Sequence, residues 1–202
     1  MRKIIVLTFV TLDGVMQAPG GPEEDTSGGF RYGGWVVPFF DDFLGEEMGR
    51  QMGREFDLLL GRKTYEIFAG YWPFADTKTD PGAAALNNAR KYVVTDSLRK
   101  LDWQNSIIIS GKVPEEIRKL KEADGPDIQV HGSGNMIQTL WKHNLVDELW
   151  LKIFPVAVGS GKHLFAEGTF AGCFELINSR TSPSGVIVAN YKISGEVKTG
   201  TF

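Results

Sequence analysis

The residues of this 202-residue chain best suited to chemistry lie in short turns rather than in a cluster of acids and histidines. Gly132-Ser133-Gly134 separates a short apolar run, Ile128 and Val130, from a helical pattern in which Met136, Ile137, Leu140 and Trp141 share one face. Free N–H groups at a helix start, with the positive end of its dipole, suit the oxygens of a phosphate group. Asn135 and Met136 would belong to that first helical turn. A second candidate is Gly61-Arg62-Lys63-Thr64, a basic pair and a threonine where a strand passes into a helix. Taken alone the tetrapeptide is a weak signal, because arginine and lysine in loops are usually only solvated. A third turn, Thr95-Asp96-Ser97, closes the strand-like run KYVVT. Three carboxylates could position a substrate or relay a proton: Asp13 after the first strand, and Asp41 and Asp42 at a helix start. Each has a plainer reading. Asp13-Gly14 is a turn former, and acids in a first helical turn complement the dipole.

These turns need elements to hold them. Lys3 to Thr11 is near-continuously apolar, as a strand buried on both faces would be, and it delivers Asp13 to its tip. Residues 17–38 form a long Gly-, Pro- and acid-rich segment, read as a mobile flap over the strand ends. Phe39 to Phe56 reads as a helix whose Gly45, Gly49 and Gly53 either admit a close neighbour or are merely tolerated. Strands are expected at Asp57–Leu60, Lys91–Thr95 and Ile107–Ser110, with helices starting at Thr64 and near Ala83–Ala89. Pro114 to Glu122 is amphipathic, with Ile117 and Leu120 inward and Glu115, Glu116, Lys119 and Lys121 outward. Asn144 stops the helix after Gly134, and the strand Glu148–Val156 completes a right-handed βαβ unit. Cys173–Thr181 and Val186–Ile193, joined by Ser-Pro-Ser-Gly, form a hairpin. The expectation is one α/β domain over 1–195, a mostly parallel sheet with a C-terminal antiparallel hairpin, and a tail over 196–202.

Composition narrows the function classes. A net charge of −3 gives no electrostatic reason to expect nucleic acid or an anionic membrane as partner. One cysteine, Cys173, precludes an internal disulfide and fits a reducing compartment. The basic start followed by Thr8 and Thr11 in the apolar run reads as a core strand rather than a signal peptide, so a cytoplasmic protein is expected. His131, His143 and His163 are scattered and form no ligand set, so no metal is expected. The exposed aromatics and the strand LWLKIFPV suggest a dimer surface.

Together TLDG at 11–14, GRKTYE at 61–66, GSG at 132–134 and LVDELWLKIFPVAVGSGKHLF at 145–165 give a resemblance that spans nearly the whole chain. The chain resembles the dihydrofolate-reductase-like family, with its three-layer sandwich, and most of all the reductase domain of the riboflavin-biosynthesis deaminase-reductase. That resemblance implies NADPH as hydride donor, a small-molecule substrate and a homodimer. It implies Gly61, Arg62, Lys63 and Thr64 along the cofactor phosphates, and Gly132, Ser133, Gly134, Asn135 and Met136 at the pyrophosphate. Thr95, Asp96 and Ser97 would surround the adenosine ribose and its 2′-phosphate. A carboxylate at Asp96 repels a phosphate, so NADH stays open and Arg62 would have to supply the compensating charge. Folate reductases carry Trp, Pro three residues later and an acid two further on. Here Trp35 and Pro38 match, but Phe40 takes the acid position and Asp41 and Asp42 follow it. The implied function is a reductase of the riboflavin branch; a dihydrofolate reductase proper, or a nucleotide-binding protein without catalysis, are the alternatives. A Rossmann-type site fits less well, because Ile137 stands where its third glycine belongs.

Overall fold

The computed structural model describes residues 1–201, the Pro81 side chain excepted. Eight strands form one sheet: β1 (Ile4–Thr11), β2 (Phe56–Gly61), β3 (Lys91–Val94), β4 (Ser106–Ile109), β5 (Asp127–Val130), β6 (Glu148–Phe154), β7 (Cys173–Thr181) and β8 (Ile187–Gly195). Their spatial order is β4-β3-β2-β5-β1-β6-β8-β7. The first six are mutually parallel, while β8 runs antiparallel to both β6 and β7. The expected βαβ unit is present, with β1 lying between β5 and β6 as the central strand.

Strand β1 is central because it can be dry on both sides. Ile4, Val6 and Val10 pack with Leu140, Trp141 and Ile117 in one core, and Phe9 packs with Phe154 and Trp35 in a second. A third core gathers Leu58, Leu60, Tyr65, Leu86 and Trp103. Five helices complete the layers: α1 (Asp42–Met52), α2 (Arg62–Ala69), α3 (Pro81–Asn88), α4 (Val113–Glu122) and α5 (Gly134–Lys142). Ile117 of α4 and Ile137 and Leu140 of α5 belong to the first core; Leu44 of α1 belongs to the second; Tyr65 of α2 and Leu86 of α3 belong to the third.

Several boundaries move from their sequence expectation. Helix α1 is shorter than 39–56 because Asp41 caps it, its side chain accepting from the Leu44 N–H at 3.0 Å. Helix α2 starts at Arg62 rather than Thr64, directly from the last residue of β2. Asn144 does end α5, in the left-handed conformation at φ 52°.

Three readings need correction. Lys121 is 9% exposed rather than solvated: it donates to the Leu145 carbonyl at 3.1 Å and pairs with Asp147 at 2.6 Å. Segment 17–38 is anchored, not a loose flap. Phe30, Trp35 and Val36 sit in the second core, and the Trp35 indole donates to the Gln17 carbonyl at 2.8 Å. Strand β6, read as a dimer surface, is interior between β1 and β8 and largely buried, with Leu149, Leu151 and Ile153 in the first core and Phe154 in the second.

Candidate active site

Because the central strands are parallel, the turns that follow them share one edge of the sheet. Strand order decides which turns are neighbours. It places 95–97 beside 61–64, 61–64 beside 132–134, and 132–134 beside the turn after β1. The sequence candidates for phosphate binding are thus adjacent in space, although far apart along the chain.

The 61–64 and 132–134 turns touch. Gly61 N–H donates to the Gly132 carbonyl at 3.4 Å, and the Thr64 and Ser133 hydroxyls lie 3.2 Å apart. Neither glycine tolerates a side chain. A Cβ on Gly61 would sit 2.3 Å from Ser133 Oγ, and one on Gly132, at φ +144°, would sit 2.6 Å from Thr64 Oγ1. The Gly132–Ser133 peptide is cis. Helix α5 begins here with Ser133 at its N-cap position and no side-chain hydrogen bond to it, and α2 likewise starts uncapped at Gly61. Two helix starts, whose orphan donors no side chain among the described residues satisfies, therefore open side by side.

Individual residues differ in what they offer. Arg62 is half exposed and chelates Glu66 one turn on, at 3.0 and 3.1 Å. Lys63 points its ammonium to Asp25, 4.0 Å away. Asn135 is exposed at the helix start. Met136 is different: its side chain is 5% exposed and belongs to the first core, so only its backbone can face a ligand. At the β3 tip the Thr95 hydroxyl accepts from the Ser97 and Leu98 N–H groups, both at 3.2 Å, and Asp96 accepts from Gly111 N–H at 3.4 Å.

The candidate acids are less available. Asp13 accepts from the Thr11 hydroxyl, from Val158 N–H at 3.2 Å and from Gly159 N–H at 2.7 Å. The Thr11 hydroxyl first, and then these N–H groups, hold its carboxyl below the usual range, so it is ionised at neutral pH and clamps the 155–159 turn onto β1. Asp41 caps α1 with one oxygen and accepts from Ser184 N–H at 3.2 Å with the other. The Leu44 N–H is the main reason its carboxyl is also held low. It faces the β7–β8 turn, on the far side of β6 from the phosphate-binding candidates. Asp42 is exposed beside it.

Two groups near the edge escaped sequence reasoning. Gln17, 4% exposed, donates to the Asp25 and Ser27 carbonyls at 2.9 Å and accepts from Lys162 N–H at 3.0 Å. Lys162 in turn pairs with Asp25, and this latch holds the 17–38 segment against the 159–162 turn. His131 stands immediately before Gly132, with its Nε2 3.1 Å from Gln129 Oε1 and its ring 6.0 Å from that of Phe68. Burial pushes it down to about 4, so it is neutral at pH 7. Its strand-end position was the one signal in the sequence. Among the described residues no three or more His, Cys, Asp or Glu side chains converge as a metal site would require.

The sequence profile of the RibD C-terminal domain matches residues 2–188, and the chain belongs to that family. It is 32% identical over 201 residues to the uncharacterized protein YyaP of Bacillus subtilis, covering 96% of each chain. It is 26% identical over 176 residues to YwjB of the same organism, covering 83% of this chain and 85% of that one. Among solved structures it superposes on a protein of Shewanella sp. PV-4 named for riboflavin biosynthesis, with TM-score 0.72 and 21% identity, covering 95% of this chain and 99% of that one. Dihydrofolate reductase of Enterococcus faecalis, complexed with NADP(H), superposes with TM-score 0.57 and 14% identity, covering 97% of both chains. The fold is dihydrofolate-reductase-like, as the sequence resemblance implied.

Proposed function

We propose that this protein is an NADPH-dependent reductase of the riboflavin-biosynthesis branch, acting on a small heterocyclic or ribosyl substrate. The observation that carries the reading is the side-by-side opening of two uncapped helix starts, across glycines that cannot bear a Cβ. A dinucleotide pyrophosphate needs such donors and such close backbone approach. Gly132, Ser133, Gly134, Asn135 and the Met136 backbone would hold it, with Gly61, Arg62, Lys63 and Thr64 opposite. Thr95, Asp96 and Ser97, on the neighbouring turn, would take the adenosine end. When bound, the dihydronicotinamide supplies the hydride, and the protein orients it and keeps water away. Asp96 disfavours a 2′-phosphate, whereas Arg62, free to leave Glu66, would attract one, so a preference for NADPH over NADH rests on Arg62.

A folate substrate is disfavoured. Phe40 occupies the position of the anchoring acid, and Asp41 spends both oxygens on the α1 cap and on Ser184. The reading also includes a cytoplasmic homodimer with no nucleic-acid or membrane partner. Among the described residues no helix is long and apolar enough to cross a membrane.

Fluorescence titration tests the cofactor assignment. Wild type binds NADPH, Gly134→Asp loses at least about tenfold in affinity by setting a carboxylate at the helix start, and Arg62→Ala weakens NADPH more than NADH. Equal affinities in all three proteins would refute it. Turnover is read as loss of dihydronicotinamide absorbance across a panel of oxo-pyrimidines and pterins. Saturation with NADPH but no turnover on any of them would favour a binding protein without catalysis.

A further inference from the structure

Beneath α1 the sheet carries a charged side chain that none of the turns above uses. Lys152 lies on β6 and is 3% exposed. Its ammonium donates to Gln51 Oε1 of α1 at 2.5 Å and lies 5.5 Å from the centre of the Phe9 ring. Glu47, the carboxylate on the buried side of α1, has its Oε1 engaged by Arg50 and Arg180. Lys152 forms no ion pair among the described residues.

Donors exceed acceptors in this layer. An ammonium has three N–H groups, and only the bond to Gln51 uses one. The amide nitrogen of Gln51 is buried without a partner among the described residues. Against them, among the described residues, stand the fully buried and unpaired Asn190 Oδ1, which lies across from Trp150 on the same face, and the second oxygen of Glu47, whose charge partly offsets that of Lys152. Such a layer is built to receive an oxygen from elsewhere.

The layer also reaches the edge. The Gln51 carbonyl accepts from Gln129 Nε2 at 2.9 Å, and Gln129 Oε1 meets His131, the residue before the Gly132 turn. Strand β5 stops pairing with β1 at Val6, whereas β1 continues to Thr11. The flank of β1 at Phe9 is therefore left without a strand on the β5 side. Phe9 and His131 are each half-buried there, and Phe68 closes on His131 from α2. Aromatic walls over a donor floor suit a flat ring bearing carbonyl or anionic oxygens.

We propose that Lys152 and the Gln51 amide form the floor of a substrate-binding notch and receive an anionic or carbonyl oxygen of a planar heterocycle. The inference rests on the reductase reading, which sets a dinucleotide on the neighbouring turns.

Orotate, a flat dioxo ring carrying one negative charge, serves as probe in calorimetric titrations near pH 7. Wild type is expected to bind it, and Lys152→Met to weaken binding by at least about tenfold. Gln51→Glu sets a carboxylate beside the ammonium and fills the site from within. It is expected to weaken orotate comparably, and it keeps the test open if Lys152→Met does not fold. NADPH affinity, titrated in the same proteins, stays unchanged. Absence of orotate binding to wild type, or wild-type affinity in Gln51→Glu, would overturn the proposal. So would parallel loss of NADPH binding in both variants, since Lys152 would then be a packing element. Orotate binding of the expected pattern with no NADPH binding in any protein would support the notch and remove the reductase reading instead.

Discussion

Single residues in this chain take their roles from what surrounds them. Asp13, Asp41 and Lys152 are all charged, yet two carboxylates are held by N–H donors while the lysine is buried beside an amide. Burial pushes Lys152 from 10.5 down to about 8. Below pH 8 the lysine is charged in both folded and unfolded chains, so the full cost of burying the charge is present. Between pH 8 and 10.5 the unfolded chain binds more protons, and stability therefore rises with pH. The gain from this residue is at most about 3 kcal/mol by the usual conversion of a pKa shift. Urea denaturation at pH 7 and pH 10 should show the difference between Lys152→Met and wild type shrinking at the higher pH. A growing difference would mean that the lysine is paired rather than isolated. Asp41→Ala should lower the melting temperature, through the lost cap and the lost Ser184 bond, while NADPH affinity is retained. A fall in NADPH affinity would instead place Asp41 in the cofactor site.

Among the elements, α1 carries the clearest unexploited margin. Gly45 and Gly49 face open space, with nothing within 4 Å of an added Cβ. Neither admits a close neighbour among the described residues, so both are tolerated rather than required. Gly49→Ala should therefore raise stability by about 0.5–1 kcal/mol, measured by chemical denaturation. Loss of stability that depends on protein concentration would reveal a second chain against that helix. The glycines of the edge turns behave oppositely, because Gly61 and Gly132 are filled by Ser133 and Thr64. Both kinds look alike in the sequence, where periodicity places a glycine in a helix or a turn but does not show what lies opposite.

For the whole molecule, the hairpin is the open flank. Strand β7 is one of the two sheet edges, β4 being the other, and Leu176, Ile177 and Ile187 of the hairpin are 49%, 46% and 41% exposed. The register shifts between Leu176 and Asn178, a bulge that discourages strand-to-strand growth at an edge. We expect the homodimer to use the face of this hairpin rather than its rim. Light scattering at micromolar concentration should give a dimer for wild type and a monomer for Ile187→Lys; a monomeric wild type would remove the expectation.

The order of apolar runs and glycine turns was enough to yield an α/β chain, the βαβ crossover, the final hairpin and the three turns that meet at one edge. These depend on local periodicity and backbone freedom, which a sequence carries directly. Burial of charge does not. Lys121 has the spacing of a solvated face but finds Asp147, and Lys152, in the strand read as a dimer surface, is covered by α1, where it meets Gln51. Long-range pairing decides which side chains lose water, and only the folded chain supplies it.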